Sequence, residues 1–449
     1  MPICLRQVST IFTEIPSCKG SIILYERNLG WLMWIDVHTF YRVFCRSSFI
    51  LLTCVVSQVL SAQSAPDLSP ANNTLKDTAK EKDLLDVYKS IFTLPQQPKN
   101  AHPENKIYFT INPLANMPTS SGNALVTSTT ANVYLGPQST TFLSKVSFAP
   151  YFSFNKRFGL PLRSSIWLKD NAWNIQGDIR LLVYPQYTWG LGTSHSLDEK
   201  EWVNYNYIRF YQAVLKRVST HLYAGLGYDL DYHFNIAGDS GVNLQSFTGY
   251  PYGLSGNSLS SGFTLNMLYD TRNRNIYPFP GTFLNVVYRM NPGFLGNVHY
   301  WQSIFVDIRK YLQLNEAAKP NQQNTLAFWS FLWWNSNTGT PYLDLPSTGW
   351  DEYNRSARGF DQNRYRGNAL YYFETEYRRD ITKNGLFGFV IFSNINTVSG
   401  SGTMFTSWHP AAGAGIRVKF NKASNSNVAI DYAFSKGYQT VLFNFSETF

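Results

Sequence analysis

The chain has 449 residues and a formal net charge of +9, with 44% hydrophobic, 16% aromatic and only 15% charged residues. Soluble domains carry about 25% charged residues; at a mean hydropathy of −0.22 and without an 18-residue apolar run, the chain is not a helical membrane protein either. Its basic residues are scattered, with no basic run or aromatic-basic module, so nucleic acid is not an expected partner.

From the amino end, Arg42 and Arg46 precede a short apolar core, Phe49-Ile50-Leu51-Leu52 and Cys54-Val55-Val56. Ser61-Ala62 before Gln63 then offers a small-residue cleavage site. Residues 1–62 read as a signal-peptide region, with Met33 as an alternative start, because what precedes Arg42 looks unlike an export signal. All four cysteines (Cys4, Cys18, Cys45 and Cys54) fall in that region. The remainder therefore has no thiol for a disulfide, a thiolate metal site or cysteine catalysis. Leu51-Leu52-Thr53-Cys54 is a poor lipid-anchor match, since Thr beside the cysteine fits badly.

Residues 63–106 are polar, with Pro66, Pro70, Pro95, Pro98 and Pro103 and a charged stretch from Lys76 to Asp86. They read as a periplasmic tether, in which Leu84, Leu85, Tyr88 and Phe92 could form one amphipathic turn or two.

From residue 107 to Phe449 strand follows strand. Between His221 and Phe234, Leu222, Ala224, Leu226, Tyr228, Leu230, Tyr232 and Phe234 alternate with small or polar residues. That is period two, not 3.6. The run exceeds the roughly 5–6 residues of an ordinary strand and suits the roughly 9–11 of a membrane-spanning one. Likewise Glu374, Glu376 and Arg378 oppose Tyr371, Phe373 and Tyr377, and Gly413, Gly415, Arg417 and Lys419 oppose Ala414, Ile416, Val418 and Phe420. With Trp and Tyr at strand ends, the pattern predicts an all-β fold, a transmembrane antiparallel β-barrel of sixteen strands over 107–449. Strand parity puts the tight connection Ser435–Gly437 inside and Lys422–Asn425 outside, while residues 235–257 do not fit the alternation of long and short connections.

Signatures of catalysis and cofactors are missing. No HExxH or helical histidine pair occurs, and Gly225-x-Gly227 continues without a third glycine. His221 and His233 beside Asp229 and Asp231 read as solvated lumen residues rather than a metal or acid–base cluster. No Ser/His pair can be assigned, so a barrel hydrolase is disfavoured. No enzyme, metal or cofactor is expected.

Three stretches are more specific. Asp270-Thr271-Arg272 ends one strand, and Pro280-Gly281 reverses the chain into the next, with Gly281 free to take positive φ. Arg358-Gly359-Phe360 sits in a long loop between the eleventh and twelfth strands. Phe443, Phe445 and Phe449 share a face of the final strand.

In these residues, with Glu376-Tyr377-Arg378, the chain resembles the BamA/TamA family of outer-membrane assembly barrels, also called bacterial surface antigens. The resemblance runs from about Ile107 to Phe449 and is strongest from Gly262 onward. It implies that the loop folds into the lumen, that Arg358 meets Glu376 on the inner wall, and that Phe443, Phe445 and Phe449 form a C-terminal assembly signal. The Asp270/Arg272 and Pro280-Gly281 turn would lie on the periplasmic side. The family's next motif appears here as Phe392-Ser393-Asn394-Ile395-Asn396, with Asn394 in place of an acid. Asn394 can accept a hydrogen bond from Arg358 but carries no charge, which leaves Glu376 to carry the pair. The tether is too short for the POTRA modules of that family.

The resemblance implies a monomeric barrel of the bacterial outer membrane that assists insertion or translocation of proteins or lipids. Its partners would be outer-membrane lipids, client outer-membrane proteins and periplasmic factors, and its working part a weak seam between first and last strands. The competing reading is a passive pore or surface structural barrel that kept the fold and lost the activity.

Overall fold

The computed structural model describes residues 81–92, 106–112, 124–153, 156–272, 280–314, 322–335, 339–400, 404–421, 426–445 and 447–449. The signal-peptide region, its cysteines, most of the tether and the Lys422–Asn425 connection lie outside these residues. Helix α1 (Leu84–Phe92) falls where the tether carries its apolar residues.

Nineteen strand segments follow among the described residues. They are β1 (Tyr108–Asn112), β2 (Ala124–Val126), β3 (Ser128–Val133), β4 (Ser144–Phe148), β5 (Tyr151–Ser153), β6 (Phe158–Trp167), β7 (Trp173–Val183), β8 (Gln186–Thr188), β9 (Glu201–Ser219) and β10 (Leu222–Gly238). The rest are β11 (Gly256–Asp270), β12 (Gly281–Asn291), β13 (Trp301–Gln313), β14 (Asn324–Asn335), β15 (Ala369–Asp380), β16 (Phe387–Val398), β17 (His409–Asn421), β18 (Ser426–Ser435) and β19 (Tyr438–Phe445). Three pairs are collinear. β2 runs on into β3 and β4 into β5, the two composite strands facing each other, and β7 and β8 both pair with β9. Pro150 and Pro185 sit in two of the gaps, where a residue without an N–H interrupts the ladder. Merging these pairs gives sixteen ladder positions, each antiparallel to its neighbour in one sheet.

The sheet rolls around one loop, residues 339–368. Arg163 of β6 and Arg180 of β7 bond to that loop from one side, Asn394 of β16 and Asp431 of β18 from the other. Among the described residues no ladder joins β1 to β19. Alternation separates the two faces. Leu226, Leu265, Ile391, Ile416 and Phe443 are more than half exposed on the convex side. Asp231, Glu374, Glu376, Arg417 and Asp431 are buried on the concave side. An aromatic core lies inside the roll, where Trp329, Phe331 and Tyr372 of the wall meet Phe360 of the loop and Phe449. No helix among the described residues is long and apolar enough to cross a membrane, a test that does not bear on strands.

The ends of the tight connections are the reverse of those expected. Ser435–Gly437 joins β18 to β19 at the rim that holds the long loops: a side chain on Gly437 would touch Leu197 of the β8–β9 connection, and Gly192 of the same connection bonds to Arg366. The strand ends flanking Lys422–Asn425 lie at the opposite rim. The 235–257 stretch also obeys the rule, because β10 extends to Gly238 and β11 starts at Gly256. What remains between them holds α2 (Leu244–Thr248) and packs on the long loop, where Tyr342 N donates to Tyr252 O at 3.0 Å.

Candidate functional site

The site is built on four adjacent strands. β15 to β18 pair in register, so that Glu374 faces Asn394, Glu376 faces Phe392, Phe392 faces Gly413 and Gly415 faces Asp431. All of these point into the roll. Gly413 and Gly415 clear the space: a Cβ on Gly413 would stand 2.3 Å from the Phe392 ring, and one on Gly415 1.9 Å from Asp431 Oδ1.

Arg358 descends from the loop into this cradle and is 1% exposed. Its Nη2 donates to Glu374 and, at 2.8 Å, to Glu376; its Nη1 donates to Asp431 at 3.1 Å. The guanidinium carbon lies 3.5 Å from the Phe392 ring centroid. A planar guanidinium can serve several carboxylates and a ring face at once, which a lysine ammonium cannot. The acids are shared onward. Arg417 binds Asp431 at 2.5 Å, and Arg378 binds Glu376 at 3.2 Å. Buried carboxylates are tolerable only when paired and hydrogen-bonded in this way.

Gly359 has φ +92, and a Cβ there would meet Ala411 Cβ at 2.9 Å. Phe360 is buried against Tyr365, ring centroids 5.8 Å apart. Asn394 acts differently from expectation. Its Nδ2 donates to the main-chain oxygen of Arg358 at 2.9 Å, so it holds the loop backbone and does not accept from the guanidinium. Nor does Glu376 carry the pair alone, since Glu374 and Asp431 share it. Alternation placed Glu374 and Glu376 on the inner face, but nothing in the sequence says which acids the loop reaches.

The rest of the loop braces the opposite wall. Arg180 Nη2 and Arg163 Nη2 donate to Glu352 O at 2.6 and 2.9 Å. Higher in the roll, Ser260 Oγ donates to Asp344 at 2.6 Å, and His233 Nδ1 lies 3.6 Å from the same carboxylate. The two arginine contacts had no sequence signal, because they end on a main-chain oxygen. Beneath the loop a cavity of about 520 Å³ remains, lined by residues that include Trp167, Arg209, Arg272, Arg289 and Glu352.

The other predicted residues lie elsewhere. Arg272 grips Asp270 through two bonds of 2.9 Å, with its guanidinium 4.4 Å from the Phe283 ring centroid. Pro280 leads into Gly281, whose φ of +140 and 2.7 Å clearance from Arg272 Cα suit glycine alone. Residues 273–279 of that turn lie outside the described residues. Phe443 and Phe445 share the convex side of β19, Phe443 exposed and Phe445 covered by Phe420 at 4.9 Å between rings. Phe449 does not share their face. β19 ends at Phe445, and Phe449 lies inside the roll against Trp329 and Tyr311, because an inward turn hides its ring and gives Glu447 its cationic partners. His221 stands in an exposed turn beside Tyr269, apart from His233.

No protein-family model matches the chain, and no curated protein matches it. In structure it is similar to BamA from Haemophilus ducreyi lacking POTRA domains 1–3, at 14% identity over 76% of this chain and 69% of that one, with a TM-score of 0.47. It is also similar to CdiB from Acinetobacter baumannii (11% identity, 76% and 65% covered, TM-score 0.46). CdiB from Escherichia coli gives 12% identity, 77% and 63% covered, and a TM-score of 0.47. The chain spans about two thirds of the length of these proteins.

Proposed function

We propose that the chain is a bacterial outer-membrane barrel of the BamA/TamA type that assists insertion or translocation of proteins or lipids. The observation that carries this reading is the lumen loop: Arg358 is fixed by Glu374, Glu376 and Asp431 inside a rolled sheet whose end strands share no ladder among the described residues. A wall braced from within leaves its seam as the softest line, and an unpaired strand edge is a template for an incoming strand. The apolar convex residues, Leu226 and Ile416 among them, face lipid in this reading. The barrel works as a monomer, its partners being outer-membrane lipids, client barrel proteins and periplasmic factors. It carries out no covalent chemistry and calls for no cofactor.

The test is reconstitution of the purified chain in liposomes with an unfolded client outer-membrane protein. Faster client folding is expected, and it should be lost in Arg358→Ala. Steady ion conductance without any acceleration would favour the second reading, a passive pore or surface structural barrel. That reading draws on Asn394, which stands where the resembling family carries an acid, and on the cavity beneath the loop.

A further inference from the structure

Past β19 the chain leaves the sheet, and Glu447–Phe449 turn into the roll. Glu447 Oε2 accepts from Arg417 Nε and its Oε1 from Asn427 Nδ2, both at 2.8 Å, with Arg378 Nε 3.9 Å away. The main-chain oxygens of Glu447 and Thr448 accept from Arg355 Nη1 at 2.6 and 2.9 Å. Phe449 O accepts from Arg378 Nη2 at 2.9 Å. The Phe449 ring packs against Trp329 and Tyr311, centroids 5.3 and 6.2 Å apart, and the Arg378 guanidinium lies 5.0 Å from its centre.

Two side chains and three main-chain oxygens are thus read at consecutive positions. That is how a groove holds a peptide: main-chain bonds supply affinity and side-chain pockets supply selectivity. Five of the groove residues come from the wall, on β13, β14, β15, β17 and β18. The sixth, Arg355, comes from the loop, 92 residues from its partner Glu447. The groove therefore closes only when loop and wall are both in place.

We propose that Tyr311, Trp329, Arg378, Arg417 and Asn427, completed by Arg355, form a peptide-binding site in the lumen. Its ligand class is a short segment with an acidic residue two positions before an aromatic one, and the chain's own Glu447–Phe449 fills it. Filling the site fastens the end of the edge strand β19 to the lumen loop. A segment of the same chemistry from another chain competes for the groove, releasing the end of β19 while it holds the loop through Arg355. This occupancy can be measured whether or not the barrel assists client proteins.

The experiment is hydrogen exchange on the full chain in detergent, comparing wild type with Glu447→Gln combined with Phe449→Ala. Exchange should rise at least about tenfold both in Asp351–Ser356 of the loop and in Tyr438–Phe445, since charge-assisted bonds and a buried ring are lost. Added peptide Ser-Glu-Thr-Phe should restore protection at Asp351–Ser356, and Ser-Gln-Thr-Ala should not. Unchanged exchange in either segment, or no restoration by the matched peptide, overturns the proposal. Should the double variant lose its heat-modifiable migration, Arg355→Gln serves instead, since it leaves every strand intact. Exchange in β19 must then rise, and a β19 as protected as in wild type overturns the proposal equally.

Discussion

Arg358 holds three carboxylates that water does not reach, so its removal costs more than one lost contact. Arg358→Ala removes the cation shared by Glu374, Glu376 and Asp431, leaving the Tyr372 hydroxyl on Glu374, and Arg378 and Arg417 on Glu376 and Asp431. Breaking a buried pair from one side costs roughly 3–5 kcal/mol, and denaturant titration of the detergent-solubilised barrel should show a loss of that order. Equal midpoints for variant and wild type would remove the brace from the account. Gly359→Val should destabilise by roughly 1–3 kcal/mol, because φ +92 and the 2.9 Å approach to Ala411 Cβ both oppose a side chain; the same titration checks it. At this scale the sequence was half legible. Alternation put Glu376, Glu374 and Arg417 on the inner face, and the resemblance drew Arg358 and Glu376 together. The amide of Asn394 was misassigned because an Asn can donate or accept, and residue type alone does not choose.

The loop is the element whose path the sequence concealed. Its upper part hangs on Asp344, bound by Ser260 and close to His233 and Asp231 of the wall. Burial, with Asp231 beside it, pushes the Asp344 carboxyl from its usual 3.8 up to about 7. An acid whose folded pKa lies above its unfolded value keeps a proton in the folded state that the unfolded state releases. Its contribution to stability therefore falls as pH rises from about 4 through 7. The loop should accordingly resist protease better at pH 5 than at pH 8, and Asp344→Asn should flatten that difference. A wild-type loop equally resistant at both values would dismiss this anchor. Strands were far more readable. β15, β17 and β10 as far as its bulge after His233 show alternation because one side of the sheet is convex and apolar and the other a largely polar interior. Where the signal failed, at the prolines splitting β4 from β5 and β7 from β8 and at the rims of the short turns, side-chain pattern gives no information. Hydrogen-bond geometry and long-range contacts decide those points.

For the molecule as a whole, period-two patterning and strand length were enough to give sixteen antiparallel ladder positions. They did not place Phe449, whose parity with Phe443 suggested the convex side while Arg378 and Arg417 drew its segment inward. The interior is consequently occupied from both rims, by the loop from one and by Glu447–Phe449 from the other. Replacing residues 349–360 with a short Gly-Ser linker should raise single-channel conductance in planar bilayers severalfold. A blocked variant would mean that something other than this loop obstructs the passage.

Both ends of the loop are tied to a single rim, yet its tip bonds to wall residues 172 and 189 positions earlier in the chain. Such contacts carry high contact order, and their closure entropy must be met before they return any stabilisation. The tip contacts can form only once β6 and β7 and the strands that carry the loop have been brought together, which makes the loop a keystone set late in the molecule's assembly.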